Sequence, residues 1–185
     1  RTVLGVAVLH DRLEGCRTTI TGEAVTPKAV VRFKHSKEIP ASLSHLLGEL
    51  NDPSALTIAL TASGFIDATS RKLLLNAVVP SHQPVDLSGV FGHYRPIPIV
   101  VENDMSGLAA KWILQHRDIP LEDTLFVKVD DGSIGACLLV RGLPNEGCIV
   151  GGNELGHTCV SNDEVPCYCG QKGCVERIFS REYLV

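Results

Sequence analysis

Four residues near the carboxyl end of the sequence have the types and the spacing of a metal site. His157 is followed by Cys167, Cys169 and Cys174, and two glycines stand between the last two cysteines. Three thiolates and one imidazole suit a closed tetrahedral zinc site, in which four protein ligands leave no vacancy and the Zn²⁺ is structural. Glycines permit the tight turns that bring the sulfurs to one centre. Cys159 is left out of the set, because on a strand it would face the same way as the nearby His157.

The alternative for this cluster is a group of buried free thiols. A Cys-x-Cys-x4-Cys turn with intervening glycines is uncommon for such thiols and favours the metal. The other cysteines, Cys16, Cys137 and Cys148, are scattered along the chain. An odd count with one tight cluster indicates a reducing compartment, and we expect a cytoplasmic protein.

Carboxylates and one amide form a second set of candidates. Asn103 and Asp104 stand between a predicted buried strand over residues 96–101 and a helix whose apolar residues follow a 3, 4 spacing. Glu154 lies three residues before His157, and Glu176 two residues after Cys174. Taken singly, Asn103-Asp104 reads as a helix N-cap and the two glutamates read as surface acids.

The elements that must position these residues are typical of an α/β protein. Three short strands are predicted over residues 3–9, 15–21 and 29–33 as an antiparallel meander, followed by a helix over 41–50 and a buried strand over 56–60. Two further strands, over 124–129 and 135–140, flank an Asp-Gly hairpin signal. We place a domain boundary at residue 119, with a first domain over 1–119 and a second over 120–185.

Composition excludes several classes of protein. The chain has 185 residues, 44% of them hydrophobic and 21% charged, with a net charge of −4, which is ordinary for a globular domain. An acidic balance argues against nucleic-acid binding by this segment itself. The apolar runs are too short to cross a bilayer, so no membrane partner is expected.

With these motifs in view, the sequence resembles the ROK family (repressors, open reading frames and sugar kinases). The most specific part is Gly-Gly-Asn-Glu-Leu-Gly-His at 151–157 together with Cys-x-Cys-Gly-x-x-Gly-Cys-x-Glu at 167–176. Val-Glu-Asn-Asp at 101–104 and Ser-Gly-Phe-Ile-Asp at 63–67 are similar to two further family segments.

The resemblance implies an actin-like, hexokinase-like (ribonuclease H-like) α/β fold, in which this chain is a truncated piece: one lobe plus the start of a second lobe with its zinc loop. It also implies that certain residues touch sugar hydroxyls and others bind zinc. The implied sugar-binding residues are Asn103, Asp104, Glu154, His157 and Glu176. The implied zinc ligands are His157, Cys167, Cys169 and Cys174, and Asp104 would be the catalytic base if the protein is a kinase.

Two segments that hold ATP phosphates in kinase members of the family differ here. Arg1, Thr2 and Val3 align with the glycines and the threonine of the first phosphate loop, and the second loop reads Asp130-Asp131-Gly132-Ser133-Ile134-Gly135. Side chains at glycine positions crowd phosphates, and two acids beside a polyphosphate repel it. ATP and Mg²⁺ are therefore not expected as cofactors.

The sequence has the residues that bind sugar in the family but differs from the kinases in both phosphate loops. This combination favours the NagC- and Mlc-type repressor branch of the family. We expect a sensor of a sugar or sugar phosphate that forms a homo-oligomer and binds DNA only through a segment outside this sequence. A ROK sugar kinase with unusual phosphate loops is the alternative. A module whose sugar site is a relic and whose zinc loop docks another protein is the third hypothesis.

Overall fold

The computed structural model places the chain in two compact units. One unit comprises Arg1–Gly107 and the other Leu108–Val185. The residues that the structure describes are 1–75, 83–94, 96–118, 122–130, 133–144, 154–162 and 164–179. Each unit is described below by itself.

The first unit contains eight strands and two helices within its described residues, and a third helix begins at its end. In chain order these elements are β1 (Val3–Val8), β2 (Arg12–Thr18), β3 (Ala29–Arg32), α1 (Ile39–Leu50), β4 (Thr57–Ala62), β5 (Phe65–Asp67), β6 (Lys72–Leu75), β7 (Val85–Asp86), α2 (Ser88–Gly92), β8 (Ile99–Asn103) and α3 (Asp104–Gln115).

Five of these strands form one mixed sheet in the order β3-β2-β1-β4-β8. The pairs β1–β2 and β2–β3 are antiparallel, whereas β4 runs parallel to both β1 and β8. The three strands β5, β6 and β7 form a second, antiparallel sheet. Parallel strands joined through helices next to an antiparallel meander make this an α/β unit.

The core of the first unit lies between one face of the five-stranded sheet and α1. Burial alternates along β1 and β4, so that Leu4, Val6, Ile58 and Leu60 point inward, as the two-residue period of a strand requires. Helix α1 supplies Leu43, Leu46, Leu47 and Leu50 from one face, and each of these is buried. A Cβ at Gly15 of β2 would lie 3.0 Å from Leu46 Cδ2. The helix therefore packs directly on the strand backbone.

The second unit holds the larger part of α3 and a hairpin. The described elements that follow α3 are β9 (Thr124–Asp130), β10 (Ser133–Val140), β11 (Leu143–Pro144), a 3-10 turn (Leu155–His157) and α4 (Val175–Ile178). The sheet order is β11-β10-β9, and all pairs are antiparallel. Trp112 of α3 stacks on His116 with 4.3 Å between ring centroids and meets Phe126 of β9 edge-on at 5.1 Å.

Most of the predicted elements are present. The first three strands form the predicted antiparallel meander, and the hairpin of β9 and β10 pairs Asp130 with Ser133. Residues 131 and 132 of its turn lie outside the described residues.

Several predicted boundaries were wrong. The strand predicted over 96–101 is β8 over Ile99–Asn103, so Asn103 ends the strand itself. Strand β2 runs over Arg12–Thr18 rather than 15–21, because its backbone continues the ladder with β1 down to the pair Val8–Leu13. Helix α1 begins at Ile39, because a proline is accommodated in its first turn. None of the helices in the described part of the chain combines the length and the apolar character that a bilayer crossing requires.

Candidate metal centre and ligand-binding residues

The second unit brings the four predicted metal ligands together. One ligand atom from each of His157, Cys167, Cys169 and Cys174 lies within 4.8 Å of the others. Cys167 Sγ is 3.5 Å from His157 Nδ1, and Cys169 Sγ is 3.7 Å from Cys174 Sγ. A tetrahedral zinc with the usual bond lengths separates its ligand atoms by about 3.4–3.8 Å. The donor set and these two spacings fit a zinc ion, so the cluster could hold a metal.

Glycines allow the backbone to wrap around this centre. Gly170 and Gly173 have φ angles of 91° and 69°, which side-chain-bearing residues rarely adopt. A Cβ at Gly173 would lie 2.0 Å from the Ser161 carbonyl oxygen. The turn is closed by Cys167 N–H, which donates to the Gln171 carbonyl at 2.8 Å. Glycine is therefore favoured at Gly170 by the backbone conformation, and at Gly173 by both the conformation and the lack of space for a side chain.

Burial makes the thiols of Cys167 and Cys174 weaker acids when no cation is present. It raises the pKa of Cys167 and raises the pKa of Cys174 to about 12. A metal requires thiolates and takes the place of their protons. The chemistry of the donor set is thus that of a site completed by a cation.

Cys159 lies next to the cluster without joining it. Its side chain is exposed, and its thiol donates to the Ser161 carbonyl oxygen at 3.4 Å. Cys159 pairs with Cys174 in an isolated antiparallel bridge, so its contribution is to the backbone of the loop. Cys16 belongs to the first unit, and Cys148 lies outside the described residues.

Glu176 is the most unusual carboxylate of the second unit. It is 4% exposed, and its Oε2 accepts a hydrogen bond from Ile134 N–H of β10 at 2.8 Å. Its Oε1 is enclosed and accepts no hydrogen bond of good geometry from the residues that the structure describes, although the Tyr168 hydroxyl lies close to the carboxylate. A buried carboxylate oxygen without a donor is costly. The position therefore fits a group that meets a hydrogen-bond donor from a ligand.

Gly156 permits this burial. A Cβ there would lie 2.4 Å from the Ile134 carbonyl oxygen and 3.1 Å from Glu176 Oε2. Any side chain would push β10 away from the 3-10 turn that carries His157. The glycine of the Glu-x-Gly-His segment thus brings Ile134, His157 and Glu176 into one place.

Tyr168 is a residue that the sequence analysis did not single out. Its hydroxyl lies 3.0 Å from His157 Nε2, and the two rings meet edge-on with centroids 4.9 Å apart. Burial, followed by the neighbouring Glu176 carboxylate, raises the pKa of Tyr168 above its ordinary range, and Glu154 adds to the shift. In the sequence, its position between the predicted ligands Cys167 and Cys169 was the signal that could have identified it as part of the site.

The imidazole and Glu154 complete the group. Burial lowers the pKa of His157, an effect that the Glu176 charge partly opposes. The Glu154 carbonyl accepts a hydrogen bond from His157 N–H at 3.0 Å and so starts the 3-10 turn. The residues before it, 151–153, lie outside the described residues.

The first unit holds the other two predicted ligand-binding residues at the end of β8. Asn103 Oδ1 accepts from Met105 N–H at 2.8 Å, and its Nδ2 donates to the Gly64 carbonyl at 3.0 Å. Asp104 Oδ2 accepts from Ser63 Oγ at 2.9 Å. The structure thus joins the 63–67 and 101–104 segments. The helix-capping interpretation of Asn103 is satisfied whether or not a ligand is bound.

The structure describes part of the two segments, residues 1–3 and 130–135, that we interpret as altered phosphate loops. The Thr2 hydroxyl donates to Asp52, and Val3 is already part of β1. Asp130 forms an ion pair with Lys128 at 2.6 Å. Asp131 and Gly132 lie outside the described residues, so the effect of these segments on phosphate binding stays a prediction.

Several known proteins are similar to this chain. The model of the ROK family matches residues 15–184. The xylose repressor of Caldicellulosiruptor bescii is 26% identical over 197 residues, covering 100% of this chain and 48% of the repressor. Kanosamine kinase of Amycolatopsis mediterranei is 31% identical over 101 residues, covering 55% of this chain and 32% of the kinase. The chain therefore spans about half or less of the length of these relatives.

A solved structure extends the likeness to three dimensions. The crystal structure of a ROK family transcriptional regulator, a homologue of the E. coli Mlc protein, superposes with a TM-score of 0.77. It is 19% identical and covers 99% of this chain and 48% of that chain. At this identity the likeness shows the fold alone, and it confirms the expected actin-like, hexokinase-like α/β fold.

Proposed function

The chain belongs to the ROK family, and we propose that it is the sugar- or sugar-phosphate-sensing part of a ROK-type transcriptional regulator with a structural zinc site. Its relatives include a repressor and a sugar kinase, so membership alone leaves both roles open. The sensor role is therefore proposed from particular residues of each unit.

The observation that carries sugar binding is the Glu176 carboxylate. Its Oε1 is buried next to the His157 turn and accepts no hydrogen bond of good geometry from the described residues. Sugar hydroxyls donate hydrogen bonds, and a charged acceptor binds them about twice as strongly as a neutral one. Glu154 and His157 are the other residues of the second unit that we propose for sugar binding. Asn103 and Asp104 are the residues that we propose for it in the first unit.

The zinc would be held by His157, Cys167, Cys169 and Cys174. When bound, the ion supplies ligand bonds that replace a hydrophobic core in a loop with little regular structure. The chain's own residues do the rest: the loop orients His157, and α4, which begins directly after the last ligand Cys174, directs Glu176 inward.

Sensing rather than catalysis is favoured by the acids at the second phosphate segment. Asp130 and Asp131 would repel a polyphosphate that a kinase must bind beside them. A sugar that prefers one arrangement of the protein shifts the population toward it. We infer that this shift changes the DNA affinity of a homo-oligomer whose DNA-binding segment lies outside this sequence.

The second candidate is a ROK sugar kinase, and the Asp104 contact favours it. Ser63 Oγ holds Asp104 Oδ2 at 2.9 Å, at the point where a strand ends and a helix begins. An aspartate fixed there is suited to accept a proton from a sugar hydroxyl as general base.

Ligand binding is tested by a thermal-shift screen with hexoses, N-acetylhexosamines and their 6-phosphates, followed by calorimetry. A ligand that binds the native state raises the apparent stability. Glu176→Gln should weaken binding of the selected sugar by about 10-fold or more, because a hydrogen bond to a charged group is lost.

Glu164→Gln is the matched control, since Glu164 lies on the same loop with an 84% exposed side chain. It should bind as the wild type does. If no sugar or sugar phosphate binds at millimolar concentration, sugar sensing is wrong and the zinc loop as a docking module becomes the better hypothesis.

The choice between sensor and kinase is tested by ATP turnover with glucose, N-acetylglucosamine and N-acetylmannosamine on the full-length protein. We expect none above background. Turnover that disappears in Asp104→Asn would contradict the sensor and establish the kinase.

A further inference from the structure

Tyr168 lies in the loop over 158–174 that carries three of the candidate metal ligands, which we call the metal loop. Its hydroxyl also lies close to the Glu176 carboxylate. The residue lies between the ligands Cys167 and Cys169 in sequence, and its hydroxyl is 3.0 Å from His157 Nε2. On the other side of the imidazole, Nδ1 is 3.5 Å from Cys167 Sγ. The two ring nitrogens of His157 therefore face two different partners.

The direction of the hydrogen bond follows from the metal side. A neutral imidazole carries one proton, and the nitrogen that binds a metal must present its lone pair. If Nδ1 faces the metal, the proton is on Nε2. Nε2–H then donates, and the Tyr168 oxygen accepts, while the tyrosine keeps its own proton for another acceptor.

We propose that Tyr168 is a positioning residue of the metal loop: its hydroxyl accepts the hydrogen bond from His157 Nε2 and holds the imidazole with Nδ1 directed at the cysteine sulfurs. The edge-on contact of the two rings fixes the same orientation. Outer partners of this kind set the tautomer of a metal-bound histidine. The inference rests on the metal site of the proposed function.

One consequence concerns the ligand. Because the Tyr168 hydroxyl lies beside the Glu176 carboxylate, a sugar hydroxyl bound by Glu176 would lie close to the tyrosine as well as to the imidazole. Tyr168 thereby joins the residues through which the chain recognises hydroxyl groups.

The test measures zinc affinity of the whole chain by competition with a chromophoric chelator. Tyr168→Phe keeps the ring and removes the hydroxyl, and we expect its zinc affinity to fall by about 10- to 100-fold. Tyr94→Phe is the matched control, because Tyr94 is also partly buried but packs against the core of the first unit. It should bind zinc as the wild type does.

Cobalt substitution supplies a readout that a merely structural role would not change. With the site saturated by Co²⁺, the d–d absorption of Tyr168→Phe should differ from that of the wild type, because the imidazole loses its fixed orientation. Unchanged zinc affinity and an unchanged cobalt spectrum would overturn the inference while leaving the metal site intact. A wild-type chain that binds neither metal would overturn both, and a failure of sugar binding alone would affect neither measurement.

Discussion

The five-stranded sheet of the first unit and the candidate metal loop of the second differ in the residues that could hold them together. Leu4, Leu13 and Ile58 of the sheet and Leu43 of the helix α1 that covers it are at most 1% exposed. The loop over 158–174 has two isolated bridges and no regular strand or helix among its described residues. Its buried side chains are cysteines rather than leucines.

This difference separates two ways of ordering a chain. Burial of apolar surface is non-directional and tolerates many sequences of similar volume. A metal site is directional, and it needs particular ligands together with glycines at particular turns. The first region should therefore respond to changes of volume, and the second to changes of single donor atoms.

The largest effect is expected from removing the metal from the loop. Structural zinc contributes about 10–16 kcal/mol to folding of small zinc peptides. Cys174→Ser or a strong chelator should therefore expose residues 155–174 to hydrogen exchange while the strands β1 and β4 stay protected. Cys159→Ser is the control, since Cys159 is exposed and outside the cluster. Equal exchange in Cys174→Ser and Cys159→Ser would show that the loop does not depend on these ligands.

The second prediction concerns a cavity in the core of the first unit, which should leave the metal loop unchanged. Leu60 of β4 is 0% exposed, so Leu60→Ala should destabilise the first unit by about 2–5 kcal/mol. Denaturant unfolding measures the change, and zinc affinity should stay as in the wild type. Ile20→Ala, at a position 67% exposed, should change stability by less than about 0.5 kcal/mol. A similar loss in the two variants would remove the distinction between the regions.

A smaller effect tests directional contacts inside the first unit. Asn103 caps α3 through Met105 N–H and also reaches the Gly64 carbonyl. Asn103→Ala should cost about 1–2 kcal/mol in chemical unfolding. Asn103→Asp keeps the acceptor for Met105 and loses the donor to Gly64, so its loss should be smaller. If the aspartate variant is as unstable as the alanine variant, the capping bond is not the main contribution.

The smallest effect concerns pH. Hydrogen bonds from Arg12 and then Lys28 lower the pKa of Glu14 below its ordinary value of 4.5. A lowered pKa in the folded state gives stability that is present above pH 4.5 and is lost as the pH falls through the folded value.

Glu14→Gln should thus be less stable than the wild type at pH 7 by under about 1 kcal/mol, as for other exposed ion pairs. The two proteins should converge as the pH falls below the folded-state pKa of Glu14. Thermal unfolding from pH 3 to 8 measures this, and a difference that grows toward low pH would contradict the assigned sign.

Some parts of the fold could be predicted well because their signals are local. The alternation in β1 and the leucine spacing of α1 report which face is buried, whatever the rest of the chain does. The start of β2 at Arg12 was missed because pairing with β1, rather than composition, sets where that strand begins. Likewise, no local pattern shows that Ser63 and Asp104 would be joined across 41 positions of sequence.

By itself the sequence determined the residue types of the candidate metal site, one histidine and three cysteines in a glycine-containing turn, and the resemblance to the family. The place of an acidic pair at a phosphate loop stays a prediction. The tertiary structure alone decided which atoms meet. It brought four ligand atoms within 4.8 Å, buried Glu176 against Ile134, and placed the Tyr168 hydroxyl on His157. The reason is physical: residue types limit which bonds are possible, whereas burial and distance depend on segments that are remote in the chain and adjacent only after folding.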